Sequence, residues 1–377
     1  MAATTPTTLT ARSLTDIVEI TPSLLGFRPE ESLVVMALAD GRVGFTARVD
    51  LAAVPSGIHG RFLPMWRKFR DADYLVVAFS SDPELAWASL FLIDDALPAC
   101  RRTLIHADDT RCHLFPGDEG EPYDPFAGRL VAEAAVAGME VLPSRGELHR
   151  LLEPTVEPSE VADALERVLS AGDVAQIIER ARELVAAADA VGGAPTLDDA
   201  TALGIASLAP DFLDDVILAT TRENAPGRRD LWAAVVRSLV PKYAGGALAA
   251  LGLAAWQCGQ GALQVVCLER MVGRPADPLW AGVLDLINAR VMPPTQWPQF
   301  AEEVRRVRDA TARARPADAS IAFDDSFIDE DRARVDAINR LARGDRRLMW
   351  TRASDHGRRP RGASGGRGRR SRSRKAS

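Results

Sequence analysis

The stretch Leu24–Leu51, LLGFRPEESLVVMALADGRVGFTARVDL, constrains the fold of this chain more than any other. Ser32–Leu38 is apolar and rich in β-branched residues, and Arg42–Val49 alternates in character. Asp40-Gly41 between them supplies the positive φ angles of a tight hairpin. Two antiparallel strands are expected over these runs, which excludes a purely parallel sheet.

With the arm around Gly26 and Pro29, this segment resembles an actinobacterial family known as domain of unknown function 4192. The resemblance continues through Tyr74–Pro83 (YLVVAFSSDP), Pro122–Pro125 (PYDP), Val141–Arg145 (VLPSR), Arg229–Trp232 (RDLW) and Ala254–Leu268 (AAWQCGQGALQVVCL). It covers about Leu14 to Arg308. The resemblance implies an architecture and no reaction.

The first half alternates strand and helix signals. Leu14–Leu25 and Phe62–Phe69 read as helices, and Tyr74–Phe79 as a buried strand. Ser81-Asp82-Pro83-Glu84 combines a Ser-x-x-Glu capping box with a proline near the first helical position, starting a helix to about Leu97. Arg101–His106 and Arg111–Phe115 read as strands around Asp108-Asp109, and Val131–Val136 as a helix. Strands mixed with helices define the expected fold class over residues 1–152: α/β (α+β) with a mixed sheet.

Beyond Glu153 the strand signals stop, and an all-α unit is expected over residues 153–310. Its helices read as Glu160–Leu169, one around Ile177–Val185, Asp199–Leu208, Asp211–Thr220, Asp230–Leu239, Ala247–Gln257, Ala262–Met271 and Leu279–Ala289. Leu253–Pro275 looks like a tetratricopeptide-like helical hairpin turned at Gly259 or Gly261. No repeat follows it at the period of about 34 residues that a solenoid needs. Residues 311–377 read as an acidic linker, with Val335, Ile338 and Leu341 on one face of a short helix, and then a disordered Arg/Gly/Ser-rich tail.

Composition excludes several function classes. The opening MAATTPTTLTARS has neither the basic start nor the apolar core of a secretory signal. Four cysteines in 377 residues are too few for a disulfide framework, so a cytoplasmic location with reduced thiols is expected. Tyr243–Leu268 carries no charge over a length that would span a bilayer. Gln257, Gln260 and Gln264 lie within it, Gly259-Gln260-Gly261 interrupts it, and alanine, which contributes weakly to insertion, is its commonest apolar residue. A buried pair of short helices is expected, with no membrane contact.

Candidate sites can be weighed one by one. Ser80, Ser81 and Asp82 follow an apolar strand at a helix N-terminus, where backbone N–H groups and the helix dipole can hold an anion. The loop lacks phosphate-loop glycines, Asp82 repels anions, and the capping box accounts for each residue. Asp50, at a strand end after Arg48, can act as a base or bind a hydroxyl. An Arg48 pair, or a cap on the next segment, explains it better. Arg48, Asp50, Ser80, Ser81 and Asp82 are thus the candidate ligand-binding set.

Cys100, His106, Cys112 and His113 suggest a metal, but a turn at Asp108-Asp109 pairs His106 with Arg111 and Ile105 with Cys112. Neighbouring Cys112 and His113 then point to opposite faces, and no C-x-x-C spacing exists. Neither a metal nor a cofactor is expected. Ser32, Ser80 and Ser144 lack a G-x-S-x-G context, so no nucleophile is assigned. Trp232, Trp256, Trp280 and Trp297 read as core, with a ligand groove as the alternative.

The tail alone carries a direct mechanism. Gly357–Ser377 holds nine basic residues and no acid: Arg358, Arg359, Arg361, Arg367, Arg369, Arg370, Arg372, Arg374 and Lys375. Without these nine, the other 37 of the 46 Lys and Arg face 52 Asp and Glu, a body of about −15. Such a tail can neutralise phosphates by counterion release, or fold back weakly on the acidic body. The expected function is a non-enzymatic interaction or regulatory protein. Its tail would contact nucleic acid or an acidic partner, and its helical unit a protein partner. The alternative is a small-ligand protein or an enzyme with its site at the strand ends.

Overall fold

Leu14–Leu25 forms α1, started by Ser13, whose Oγ accepts from the Asp16 N–H at 3.0 Å. In this computed structural model, which describes residues 9–57, 62–97, 101–272 and 278–314, the chain then enters the hairpin β1 (Ser32–Ala39) and β2 (Arg42–Asp50). Asp40 (φ 52°) and Gly41 (φ 71°) both adopt left-handed backbone, the two-residue turn whose twist suits a hairpin. Residue pairs run from Ala39↔Arg42 to Ser32↔Asp50, with one irregularity at Ala37/Leu38.

A 3-10 turn (Leu51–Ser56) and α2 (Leu63–Lys68) lead to β3 (Asp73–Phe79), α3 (Pro83–Ala96), β4 (Arg102–Ala107), β5 (Arg111–His113) and the two-residue β6 (Glu121–Pro122). The strand order is β2-β1-β3-β4-β5-β6. β3 pairs antiparallel with β1 and parallel with β4, so the sheet is mixed. β1 and β3 are buried on both faces, whereas β2 at the edge keeps Arg42 and Asp50 in water.

Period-two alternation sorts the apolar residues onto two faces. Val34, Met36, Leu75, Val77 and Ile105 pack with Val18 of α1. Leu33, Val35, Val76 and Ala78 pack on the other side with Trp87, Leu90 and Ile93 of α3. Helices α4 (Arg129–Val136) and α5 (Arg145–Arg150) complete this half.

The remaining described elements are helical: α6 (Pro158–Ala171), α7 (Val174–Ala190), α8 (Leu197–Ala206), α9 (Pro210–Leu218), α10 (Ala225–Ser238), α11 (Gly245–Gln257), α12 (Gly261–Met271), α13 (Pro278–Ala289) and α14 (Trp297–Ala314). All residues of α11 are buried, which explains its uncharged sequence as a core helix. Gly259, at φ 81°, turns the chain between α11 and α12, and Leu253, Trp256 and Leu263 are buried. Among the described residues no helix is long and apolar enough to cross a membrane.

The two halves interlock. Phe27 bridges to Leu142 and lies with Leu148 and Leu152 in the helical core, while Val291, just after α13, packs in the sheet core. A half-buried ion pair braces the helices: the buried Arg228 meets Asp189 at 2.7 and 2.8 Å and donates to the Val216 carbonyl at 2.6 Å. Sequence reading misses α5, β6 and α14. The last runs to Ala314, past the expected break at residue 311.

Candidate functional site

The N-terminal end of β1 and the C-terminal ends of β2, β3 and β4 meet at one edge of the sheet, because Ser32 pairs with both Asp50 and Phe79, and Phe79 with Ala107. That edge is where open α/β sheets place ligands. The five candidate residues lie there, in two hydrogen-bonded groups.

The first group is built around Ser80. Its hydroxyl donates to Glu31 Oε2 at 2.7 Å and accepts from the Asp82 N–H at 3.0 Å. Its N–H donates to the Ala107 carbonyl at 3.1 Å, and its own carbonyl lies 2.9 Å from His106 Nε2. The second Glu31 oxygen accepts from the Ser81 N–H at 3.2 Å. Asp82 accepts from the Glu84 and Leu85 N–H groups at 2.9 and 3.1 Å and so caps α3. The expected capping box is therefore corrected: the cap is Asp82, and Ser81 instead turns its N–H to Glu31. With Pro83 at the first helical position, the aspartate oxygen reaches both orphan donors unaided.

The second group is built around Arg48. Its Nε donates to Ser32 Oγ at 2.8 Å and its Nη2 meets Asp50 at 2.7 Å. Asp50 makes no side-chain cap to the following turn, so the ion pair is its role in the fold. Burial pulls the Arg48 guanidinium down from its usual range, Asp50 works against that, and the Arg145 charge adds to it. Arg145 itself grips Glu269 at 2.7 and 2.8 Å, and His149 lies 3.5 Å from the same carboxylate. Stretches that carry the family resemblance thus meet along one seam: the arm at Gly26, the Ser80 loop, the Arg145 segment and α12.

Glu31 is the residue that sequence reasoning misses. At φ 40° it is strained for a side chain with a Cβ, a cost of about 1–3 kcal/mol that surrounding contacts must offset. Its only sequence signal is an acid directly before an apolar strand; its partner lies 49 residues away.

The histidine pair needs a second correction. β4 and β5 register as His106↔His113 and Ala107↔Cys112, two residues from the expected pairing. Asp108 causes the shift, because its carboxylate accepts from the Thr110 and Arg111 N–H groups at 2.8 and 2.7 Å and closes the turn one residue later, around Asp109-Thr110. The two imidazoles stack at 5.2 Å. His113 is held between Asp118 (2.8 Å) and Asp108 (3.3 Å). Burial opposes its charge, but the bonds to Asp118 and Asp108 prevail and raise its pKa. Cys112 faces the other side of the sheet, where burial pushes its thiol up and out of the reactive range.

Among the described residues no group of three His, Cys, Asp or Glu is placed to hold a metal. Cys112, Cys258 and Cys267 are free thiols, and Cys100 lies outside the described residues. Trp232, Trp256, Trp280 and Trp297 are all buried; the Trp280 indole donates to the buried Asp214 at 2.8 Å. The Val335–Leu341 segment and the tail residues Arg358, Arg359, Arg361, Arg367, Arg369, Arg370, Arg372, Arg374 and Lys375 lie outside the described residues.

The family model described as a domain of unknown function (DUF4192) matches residues 15–295, and the chain belongs to that family. No curated protein and no solved structure matches it. The matched stretch begins in α1 and stops before α14, short of the expected limit near Arg308.

Proposed function

We propose that this is a cytoplasmic, non-enzymatic interaction or regulatory protein whose Arg-rich end contacts nucleic acid or an acidic partner. The partition of charge carries this reading. Nine basic residues and no acid occupy Gly357–Ser377, against an excess of acid elsewhere. A polyanion is attracted to one end and repelled by the body. The reading divides the chain into an α/β unit (1–152), a helical unit (153–310) and an acidic linker with the basic end (311–377). Within the helical unit, α11 and α12 are read as a tetratricopeptide-like hairpin that presents a helical surface to a protein partner.

Further support comes from the strand ends, where the polar side chains satisfy one another in two groups, Ser80 with Glu31 and the Asp82 N–H, and Arg48 with Ser32 and Asp50. The second reading, a ligand-binding protein or enzyme at this edge, draws on the strained Glu31 and its 2.7 Å contact with a serine hydroxyl. Binding of single-stranded RNA and duplex DNA by the full chain, and by a chain ending at His356, tests the first reading. The full chain should bind at low salt, losing about 10³–10⁵ in affinity between 50 and 200 mM if six or more phosphates are neutralised. The shortened chain should not bind and should melt at the same temperature. Equal affinity for the two chains, or no binding at low salt, refutes it.

A further inference from the structure

A cavity of about 270 Å³ lies between the end of α11, the loop after α9 and the start of α14. Leu218, Pro294, Pro298 and Ala301 give it apolar walls, and Gln257 and Trp297 line it as well. Gln257 is only 4% exposed, yet neither its amide nitrogen nor its amide oxygen has a hydrogen-bond partner. The indole N–H of Trp297, 2% exposed, is unpartnered too. Three orphaned polar atoms therefore belong to two side chains of one cavity. Elsewhere among the described residues the buried orphans are single atoms of a residue.

The neighbouring glutamine is met on its donor side. Gln264 of α12 is fully buried and donates to the Leu284 carbonyl at 3.1 Å, with only its amide oxygen left unpartnered, whereas Gln257 has both amide atoms unmet. Trp256, beside Trp297 at 5.9 Å, likewise donates to the Met292 carbonyl at 3.2 Å. Leaving a buried donor and acceptor unmade is costly, and such groups in native proteins call for an explanation. A ligand that supplies the missing partners provides one.

We propose that this cavity binds a small neutral ligand through an amide edge, an N–H beside a C=O, which pairs with the Gln257 carboxamide while the Trp297 N–H donates to a further acceptor. A carboxamide presents one donor and one acceptor in a plane, the pattern by which glutamine reads a base edge. The cationic rim does not require an anion: Arg305 donates to the Leu218 carbonyl at 2.8 Å and pairs with Glu302 at 3.5 Å. The volume lies just below the usual ~300–1,000 Å³ of small-molecule sites, which fits a single heterocycle and not a nucleotide. Two kinds of molecule carry this edge, pyrimidine or purine bases and open carboxamides. The site is independent of the Arg-rich end, so its failure and that of the interaction reading are separable.

Calorimetry and thermal shift on the full chain with uracil, hypoxanthine and nicotinamide test the proposal. 1,3-Dimethyluracil and nicotinate, which lack the edge, are the controls. At least one probe should bind and raise the melting temperature, and the controls should not. The ring probes and nicotinamide tell base from open carboxamide. Gln257→Leu should weaken the bound probe about 10- to 100-fold, and Trp297→Phe, which keeps the ring and removes one donor, several-fold. Binding by none of the three probes overturns the proposal, as does a probe held equally well by the wild type and both variants.

Discussion

At the strand ends of the sheet, Ser80 donates to Glu31, accepts from Asp82 and receives His106 on its carbonyl, while Arg48 joins Ser32 to Asp50. At the end of α11, Gln257 is just as deeply buried and bonds to nothing, beside an equally unpartnered Trp297. The first region resembles a site by its position in the sheet, and the second by its chemistry. Position alone says where ligands tend to bind in α/β folds; unmet hydrogen-bonding capacity says what a ligand would have to offer. Polar groups that satisfy one another work for stability, and those left orphaned lower it.

The contrast predicts how variants rank. The largest effect belongs to the half-buried ion pair behind the second region. Asp189→Ala removes both carboxylate bonds of the Arg228 guanidinium, whose side chain is 6% exposed, and should destabilise by about 1.5–3 kcal/mol in denaturant unfolding. If the loss is below 1 kcal/mol, self-satisfied polar contacts do not brace these helices. Next comes Ser80→Ala, which removes one bond to Glu31 and one to the Asp82 N–H and should cost about 1–2 kcal/mol. Because α3 keeps its Asp82 cap, far-ultraviolet circular dichroism should not change.

A smaller effect concerns pH. His113 has its pKa raised by Asp118 and Asp108, so its stabilising contribution is complete below the unfolded value near 6.5. That contribution disappears as the pH climbs through the higher folded value. The Asp108 and Asp118 carboxyls are held low against their burial, chiefly by N–H groups of Thr110 and Arg111 and of Leu114 respectively. Their contribution is present above about pH 4 and is lost as the pH falls through the depressed values. Melting temperature plotted against pH should therefore fall off on the alkaline side of about 6.5, and His113→Asn should flatten that limb. An unchanged limb in the variant would show that the clamp carries no charge.

What the sequence makes legible follows from how local each cause is. The β1–β2 hairpin is readable because Asp40 and Gly41 dictate their own turn, and the α11–α12 hairpin because Gly259 breaks an apolar run. The cap of α3 is misplaced by one residue, since Ser81 and Asp82 are both good caps and only the geometry with Pro83 decides between them. The register of β4 and β5 depends on the Asp108 side chain closing the turn one residue later, which no pattern of apolar residues encodes. At the strand ends Arg48, Asp50, Ser80 and Asp82 are found from their positions, while Glu31 needs a contact across the sheet. Gln257 is visible as a polar residue in an apolar helix. That signal argues against a membrane span, and only packing shows that its amide is left without a partner.

The most direct measurement of the contrast sets Ser80→Ala and Gln257→Leu side by side, unliganded, in one thermal unfolding experiment. Removing a satisfied hydroxyl should lower the melting temperature, and removing an orphaned amide of similar shape should leave it unchanged or raise it. A fall in both would contradict the account, because it would make Gln257 a structural group like Ser80.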